Sequence, residues 1–243
     1  MPGTIVERHP SPSPTRVQDA KVLYNTTYFI SPAGDILSTY RKKNIWHPER
    51  PYLTSSGVTG DPHTAFDTPI GKVGLLICWD VAFPEAFREL IRAGAEIIIV
   101  PTFCEQPFWL LPPLSTFFFF FFWIRIAQIN ASTGTKHDAT PAARSHNPNS
   151  ERLFLESTLT TRAFEDTCGV IFVNAAGGSS DPEDKFLGLS RVTLPVVGTV
   201  SSMGNEEGVL VVDMDLSLLD VAEGCYGVRK DLASAGWHYG YRR

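Results

Sequence analysis

Apolar and polar positions divide the chain into recognisable elements, most clearly in its middle. Lys72–Cys78 (KVGLLIC) is almost continuously apolar, the pattern of a strand buried on both faces. Beyond it, Phe83, Phe87, Leu90 and Ile91 recur at helical spacing, while Glu85, Arg88, Glu89 and Arg92 take the opposite face. Pro84 in the first turn and Gly94 past the last one punctuate this amphipathic helix. Glu96–Val100 (EIIIV) is a second buried strand. Strand, helix and strand in this order predict a right-handed βαβ crossover with parallel strands.

Other segments are shorter. Thr4–Val6 and Tyr24–Ile30 are β-branched and aromatic, and Pro32–Asp35 is a turn leading to a strand at Ile36–Tyr40, so the last two strands form a hairpin. Pro10 to Pro14 reads as a proline-rich loop. A helix is expected from about Glu151 to Glu165 with Ser150 as its N-cap. Strands are expected at Cys168–Asn174, Ser190–Pro195 and Val209–Asp213. Strands interleaved with helices make the class α/β.

Composition narrows the function. Net charge is −5 with no basic block, which argues against nucleic acid or an anionic membrane as partner. Cys78, Cys104, Cys168 and Cys225 form no CxxC pair, and the six histidines show no HxxxH spacing. No metal or cofactor is therefore expected. The N-terminus lacks the basic start and apolar run of a signal peptide, so a reducing, cytoplasmic location is the expectation.

One segment breaks the pattern. Gln106 to Ile124 carries no charge across nineteen residues and contains six consecutive phenylalanines, Phe117 to Phe122. That length suits a membrane span, but Pro107, Pro112 and Pro113 break the helix a span requires. As core, six phenylalanines in a row fit neither helical nor strand amphipathicity. Phe, Leu, Ser and Pro codons are pyrimidine-rich, and a pyrimidine tract precedes a splice acceptor. Residues 104–132 are read as a suspect insertion, a translated intron ahead of a natural loop.

Cys78 ends a buried strand just before a helix N-terminus, where the dipole favours thiolate. Position alone leaves a buried structural thiol equally open. The surrounding residues change the balance. Asp67-Thr68-Pro69-Ile70-Gly71-Lys72 through Cys78-Trp79-Asp80, with Phe83-Pro84-Glu85 and Gly94-Ala95 beyond, closely resembles the nucleophile region of the nitrilase, or carbon–nitrogen hydrolase, superfamily. The resemblance extends to Tyr24-Asn25-Thr26, Tyr40-Arg41-Lys42, Arg162–Glu165, Asn174, Phe186–Ser190 and Pro195–Gly198. It covers the chain apart from 104 to about 145, and implies one hydrolase domain over residues 1–243, incomplete at its N-terminus.

The resemblance implies a four-layer α-β-β-α sandwich and a Glu–Lys–Cys triad. By this likeness Cys78 is the nucleophile, Lys42 and the Trp79 backbone N–H stabilise the oxyanion, and Glu49 is a second glutamate that orients the lysine. Lys43 is the neighbouring alternative, and both lysines as solvated charges is the plain one. The family's general-base glutamate lies on a strand ahead of the segment resembling Gly3–Val6, so the sandwich is expected to lack its opening strands and helices, and Glu7 stands on the wrong strand to replace the base. With apolar sheet faces uncovered and six phenylalanines in the suspect segment, these 243 residues alone are expected to be largely insoluble, and without the base inactive. A non-catalytic relic or binding protein is the rival reading.

Amidase-like branches carry Asp after Cys-Trp, as Asp80 here, where nitrilases carry Glu. A small amide or carbamoyl substrate is expected ahead of a nitrile, in a homo-oligomer. Gly188-Leu189-Ser190-Arg191-Val192 fails the GxSxG elbow, which disfavours a serine hydrolase. His47 and His238 are expected to be ordinary surface or interface residues.

Overall fold

The computed structural model describes residues 3–10, 21–102, 146–177 and 186–239. Two sheets organise them. The first is antiparallel, β1 (Gly3–Pro10), β2 (Lys21–Ile30) and β3 (Ile36–Arg41), in that order. The second has six strands in sequence order: β4 (Ala65–Thr68), β5 (Gly71–Leu75), β6 (Ile97–Thr102), β7 (Gly169–Asn174), β8 (Arg191–Leu194) and β9 (Gly198–Ser202). Strands β5, β6 and β7 are parallel, and the flanking pairs are antiparallel.

Helix α1 (Pro84–Arg92) joins β5 to the parallel strand β6, as the apolar pattern predicts. It ends on Ala93, and Gly94 follows at φ +90°, a conformation glycine adopts without strain. Helix α2 (Ser150–Glu165) packs on β7 and β8, and α3 (Ser217–Tyr226) and α4 (Val228–Ala233) close the described chain. Leu76, Phe87, Leu90, Ile98, Leu159 and Phe172 form the core between the second sheet and these helices. Truncating Phe87, which has no exposure, would cost about 3–5 kcal/mol. Gly74 permits this packing, because a Cβ there would stand 2.8 Å from the Leu90 methyls.

The other face of the second sheet, Val73, Leu75, Ile97 and Ile99, packs against Phe29 and Tyr40 of the first. Phe29 and Phe66 meet edge to face at 5.2 Å. The layers among the described residues are sheet, sheet and helix. The architecture is α/β, as expected.

Three local expectations are corrected. The Lys72–Cys78 strand stops at Leu75, because the Ile77 amide turns to the Asp80 side chain and leaves the ladder. Val209–Asp213 is not a strand. Its apolar run reflects one-sided burial and not pairing: Val209 and Val211 are each 89% exposed, while Met214 and Leu216 beyond them pack on the second sheet. Ser150 is the first residue of α2 and not its cap; Asn149 holds that position and gives no side-chain hydrogen bond. The suspect residues 104–132, and positions 11–14 of the proline-rich loop, lie outside the described residues. Among the described residues, no helix is long and apolar enough to cross a membrane.

Candidate active site

Lys42 directly follows β3, and its backbone N–H donates to Asn25 O at 2.8 Å, which extends the hairpin by one residue. Its side chain has no exposure, and Nζ lies 2.6 Å from Glu49 Oε2. A tight turn holds that carboxylate in place: Glu49 N donates to Trp46 O at 2.9 Å, and Trp46 N donates back to Glu49 Oε2 at 3.0 Å. Burial works to lower the Lys42 pKa. The attraction of Cys78, then of Glu49 and Asp80, outweighs it and holds the ammonium above its ordinary value. The plain reading of Lys42 as a solvated surface charge is therefore overturned. Lys43 points elsewhere, with Nζ 3.9 Å from Glu89 Oε2, and burial lowers its pKa.

Glu7 belongs to the opposite face of the first sheet. Cross-strand partners share a face, and Glu7 pairs with Tyr24 as Thr26 pairs with Arg41. Its Oε2 accepts from Thr26 Oγ1 at 2.8 Å and Arg41 Nε at 3.2 Å. Tyr40 and Lys42 flank Arg41 in sequence and so turn the other way.

Cys78 opens a 3-10 turn, Cys78–Ala82, immediately before α1. It is half-buried, outside any disulfide, and sits at φ +48°. A left-handed non-glycine residue costs about 1–3 kcal/mol and persists only where its surroundings enforce it. Here the enforcement is visible at both ends of the turn. Asp80 is wholly buried and accepts from Ile77 N at 2.9 Å. Arg162 of α2 donates to Val81 O and Ala82 O at 3.2 and 3.3 Å. Trp79 stacks edge to face on Trp46 at 4.3 Å and lies 6.1 Å from Phe83. The turn thus joins the lysine segment through an aromatic contact and through Asp80.

Two groups escaped the sequence reading. His63 is buried against the Tyr40 ring at 5.2 Å, and burial together with the Lys43 charge pushes its pKa down to about 3. A lone histidine in a proline-bearing segment gives no signal of such burial. Asp80 was legible only as a marker of substrate class, not as the acceptor of several hydrogen bonds. Other candidates fall away. Ser190 Oγ accepts from Asn174 N at 2.9 Å and donates to Asn174 O at 3.2 Å, a structural link between β7 and the approach to β8. Cys168 is buried in surroundings that push its thiol pKa well up. His47 and His238 are exposed.

Residues 3–223 match the family model for carbon–nitrogen hydrolases. The N-carbamoylputrescine amidase of Solanum lycopersicum is 28% identical over 214 residues, covering 86% of this chain and 60% of that protein. The 2-oxoglutaramate amidase of Bacillus subtilis is 26% identical over 194 residues, covering 80% and 57%. The crystal structure of a carbon–nitrogen hydrolase from Helicobacter pylori G27 superposes with a TM-score of 0.65 at 19% identity, over 95% of this chain and 66% of that one. This chain therefore spans about three-fifths of the curated relatives it matches over most of its own length. With two packed sheets, a helical layer and a family match across nearly all of its residues, the chain belongs to the carbon–nitrogen hydrolase family, the nitrilase superfamily.

Proposed function

We propose that this site hydrolyses a non-peptide carbon–nitrogen bond, in an amide or carbamoyl substrate, through Cys78. The observation that carries the reading is the buried Lys42 ammonium, held between Glu49 at 2.6 Å and the attraction of Cys78. A cation kept dry within electrostatic reach of a thiol is suited to stabilise anions, first the thiolate and then the oxyanion.

In this mechanism the Cys78 thiolate attacks the carbonyl carbon, and the C–S bond forms as the carbonyl electrons move to oxygen. Lys42 and the Trp79 backbone N–H stabilise that oxyanion. As it collapses the C–N bond breaks, and nitrogen leaves as ammonia or amine with the proton taken from the thiol. Water then cleaves the thioester and returns the thiol and an acid. Glu49 holds Lys42 and is not itself a reacting group.

Proton transfer needs a general base. The family likeness assigns it to a glutamate on a strand ahead of the segment equivalent to Gly3–Val6. Glu7 is held away from the role by Thr26 and Arg41 on the other sheet face. Two amidase relatives and Asp80 after Cys-Trp favour an amide or carbamoyl group over a nitrile.

The test is ammonia release from a panel of carboxamides, ureido acids and nitriles, using this chain extended upstream to include that acid. Release from amides or ureido acids that Cys78→Ala abolishes supports the reading. Release from nitriles alone moves the assignment to nitrile hydrolysis. No release by a folded protein leaves a non-catalytic scaffold.

A further inference from the structure

Asp80 lies where the lysine segment and the nucleophile turn meet, and it is wholly buried. Oδ1 accepts from the Asn44 backbone N–H at 3.1 Å and from Asn44 Nδ2 at 2.8 Å. Oδ2 accepts from the Tyr40 hydroxyl at 2.8 Å and from the Ile77 N–H at 2.9 Å. Tyr40 and Asn44 bracket Lys42, and Ile77 precedes Cys78. One carboxylate therefore fastens the segment that carries the cation to the turn that carries the thiol.

Each property of Asp80 suits this task. Four donors occupy its two oxygens, so a carboxylate is satisfied where an amide would turn an N–H toward other donors. With no exposure, Asp80 cannot touch a substrate. Its short side chain also fixes the gap between the two segments; one more methylene would push them apart or break their bonds. Left-handed residues at functional sites are held by contacts of this kind, and Cys78 at φ +48° is such a residue.

We propose that Asp80 is the positioning residue that sets Cys78 against Lys42, acting through Tyr40, Asn44 and the Ile77 amide. The inference rests on the reading of Cys78 and Lys42 as a working pair. It gives the Asp found after Cys-Trp a physical task, which is to set the width of the site.

A purely electrostatic role makes a different prediction. Glu in place of Asp80 keeps the negative charge, and removing the charge altogether favours the Cys78 thiolate by relieving like-charge repulsion. A positioning role predicts loss of thiol reactivity in both cases.

The experiment is the rate of Cys78 alkylation by iodoacetamide between pH 6 and 9, followed on the Cys78 peptide by mass spectrometry. It needs no turnover and uses the 243-residue chain in its folded, soluble fraction. Asp80→Glu and Asp80→Asn are each expected to slow alkylation at pH 7 about tenfold or more and to raise its pH midpoint, since small misplacements in a site are amplified. Tyr40→Phe, which removes one donor and preserves shape, is expected to slow it by a smaller factor and covers the case in which Asp80 variants do not fold. Lys42→Met is the control for the underlying pair and is expected to slow alkylation as well. Slowing by Lys42→Met with wild-type rates in folded Asp80→Glu, or in Tyr40→Phe where no Asp80 variant folds, overturns the positioning role alone. An unchanged rate in Lys42→Met overturns the pair and the inference with it.

Discussion

Lys42 Nζ sits 2.6 Å from Glu49 Oε2 with the lysine side chain wholly buried and the glutamate a quarter exposed. The two partners are thus unequal in what they risk. Loss of the glutamate charge leaves a dry cation with less to balance it, whereas loss of the lysine leaves a carboxylate that water reaches. Glu49→Gln is expected to lower the Lys42 pKa, destabilise the fold by about 1–3 kcal/mol and slow Cys78 alkylation. Denaturant melts and thiol kinetics on the same samples check this. Unchanged thiol kinetics would remove Glu49 from its orienting role.

Adjacent lysines provide an internal comparison. In the extended chain, Lys42→Ala should cost at least about a hundredfold in turnover, the scale of a lost oxyanion donor. Lys43→Ala should cost far less, because its Nζ faces Glu89 and not Glu49. A larger loss from Lys43→Ala would reverse the assignment.

Cys78→Ala should reduce ammonia release by more than about a thousandfold, since the covalent step depends on one sulfur. Calorimetry should show a melting point close to the parent's. Turnover within about tenfold of the parent would exclude Cys78 as the nucleophile.

Asp166 should make stability depend on pH. It is buried, and burial pushes its pKa up to about 7 despite the attraction of Arg88. Arg88 Nε stands 3.1 Å from Oδ1, an ion-pair distance, yet among the described residues neither carboxylate oxygen receives a hydrogen bond, and desolvation prevails. The folded state then holds a proton that the unfolded state releases above its own pKa of 3.8. Stability should fall as pH rises from about 4 through 7 and level off above, a span of up to about 4 kcal/mol. Thermal melts of wild type and Asp166→Asn between pH 5 and 8 check the sign; the variant should show a flatter profile. Parallel profiles would remove Asp166 as the source.

Excising residues 104–132 should raise the soluble yield several-fold, because six consecutive phenylalanines are hard to bury and costly to expose. Side-by-side expression tests this, and sequencing of the transcript tests the intron reading. A message containing the tract together with an unchanged yield would make the segment part of the native protein.

Much of the fold was legible where burial imposes a simple period. KVGLLIC, the α1 pattern and EIIIV lie in order as strand, helix and strand because each buries apolar residues on every face that meets a neighbour. The apolar, β-branched run of Val209–Asp213 misled because a segment laid with one side over a sheet has the same composition as a paired strand. Family likeness is what brings Cys78, Lys42, Glu49 and Trp79 into the proposed site; the burial of Lys42 and its 2.6 Å contact with Glu49 come from the structure. The exact end of β5 and the left-handed Cys78 were not legible: the Asp80 carboxylate that takes the Ile77 amide is itself held by Tyr40 and Asn44, more than thirty positions earlier in the chain. His63 and Arg162 are similar cases: a lone histidine and an arginine on a helix reveal nothing of the backbone or ring they meet across the fold.

Arg162 has a counterpart at the far end of the chain whose consequence concerns the order of assembly. Arg229 of α4 donates to Ala95 O at 2.8 Å and to Thr167 O at 3.1 Å, and Glu223 accepts from the Arg229 and Lys230 amides. This clasp spans 134 residues between Ala95 and Arg229. On a ribosome, β5, α1 and β6 emerge well before Arg229 is made, so the clasp is available only to a unit whose local contacts can form first. If the clasp forms after the transition state, a chain cut before α4 should retain the parallel strands and unfold faster.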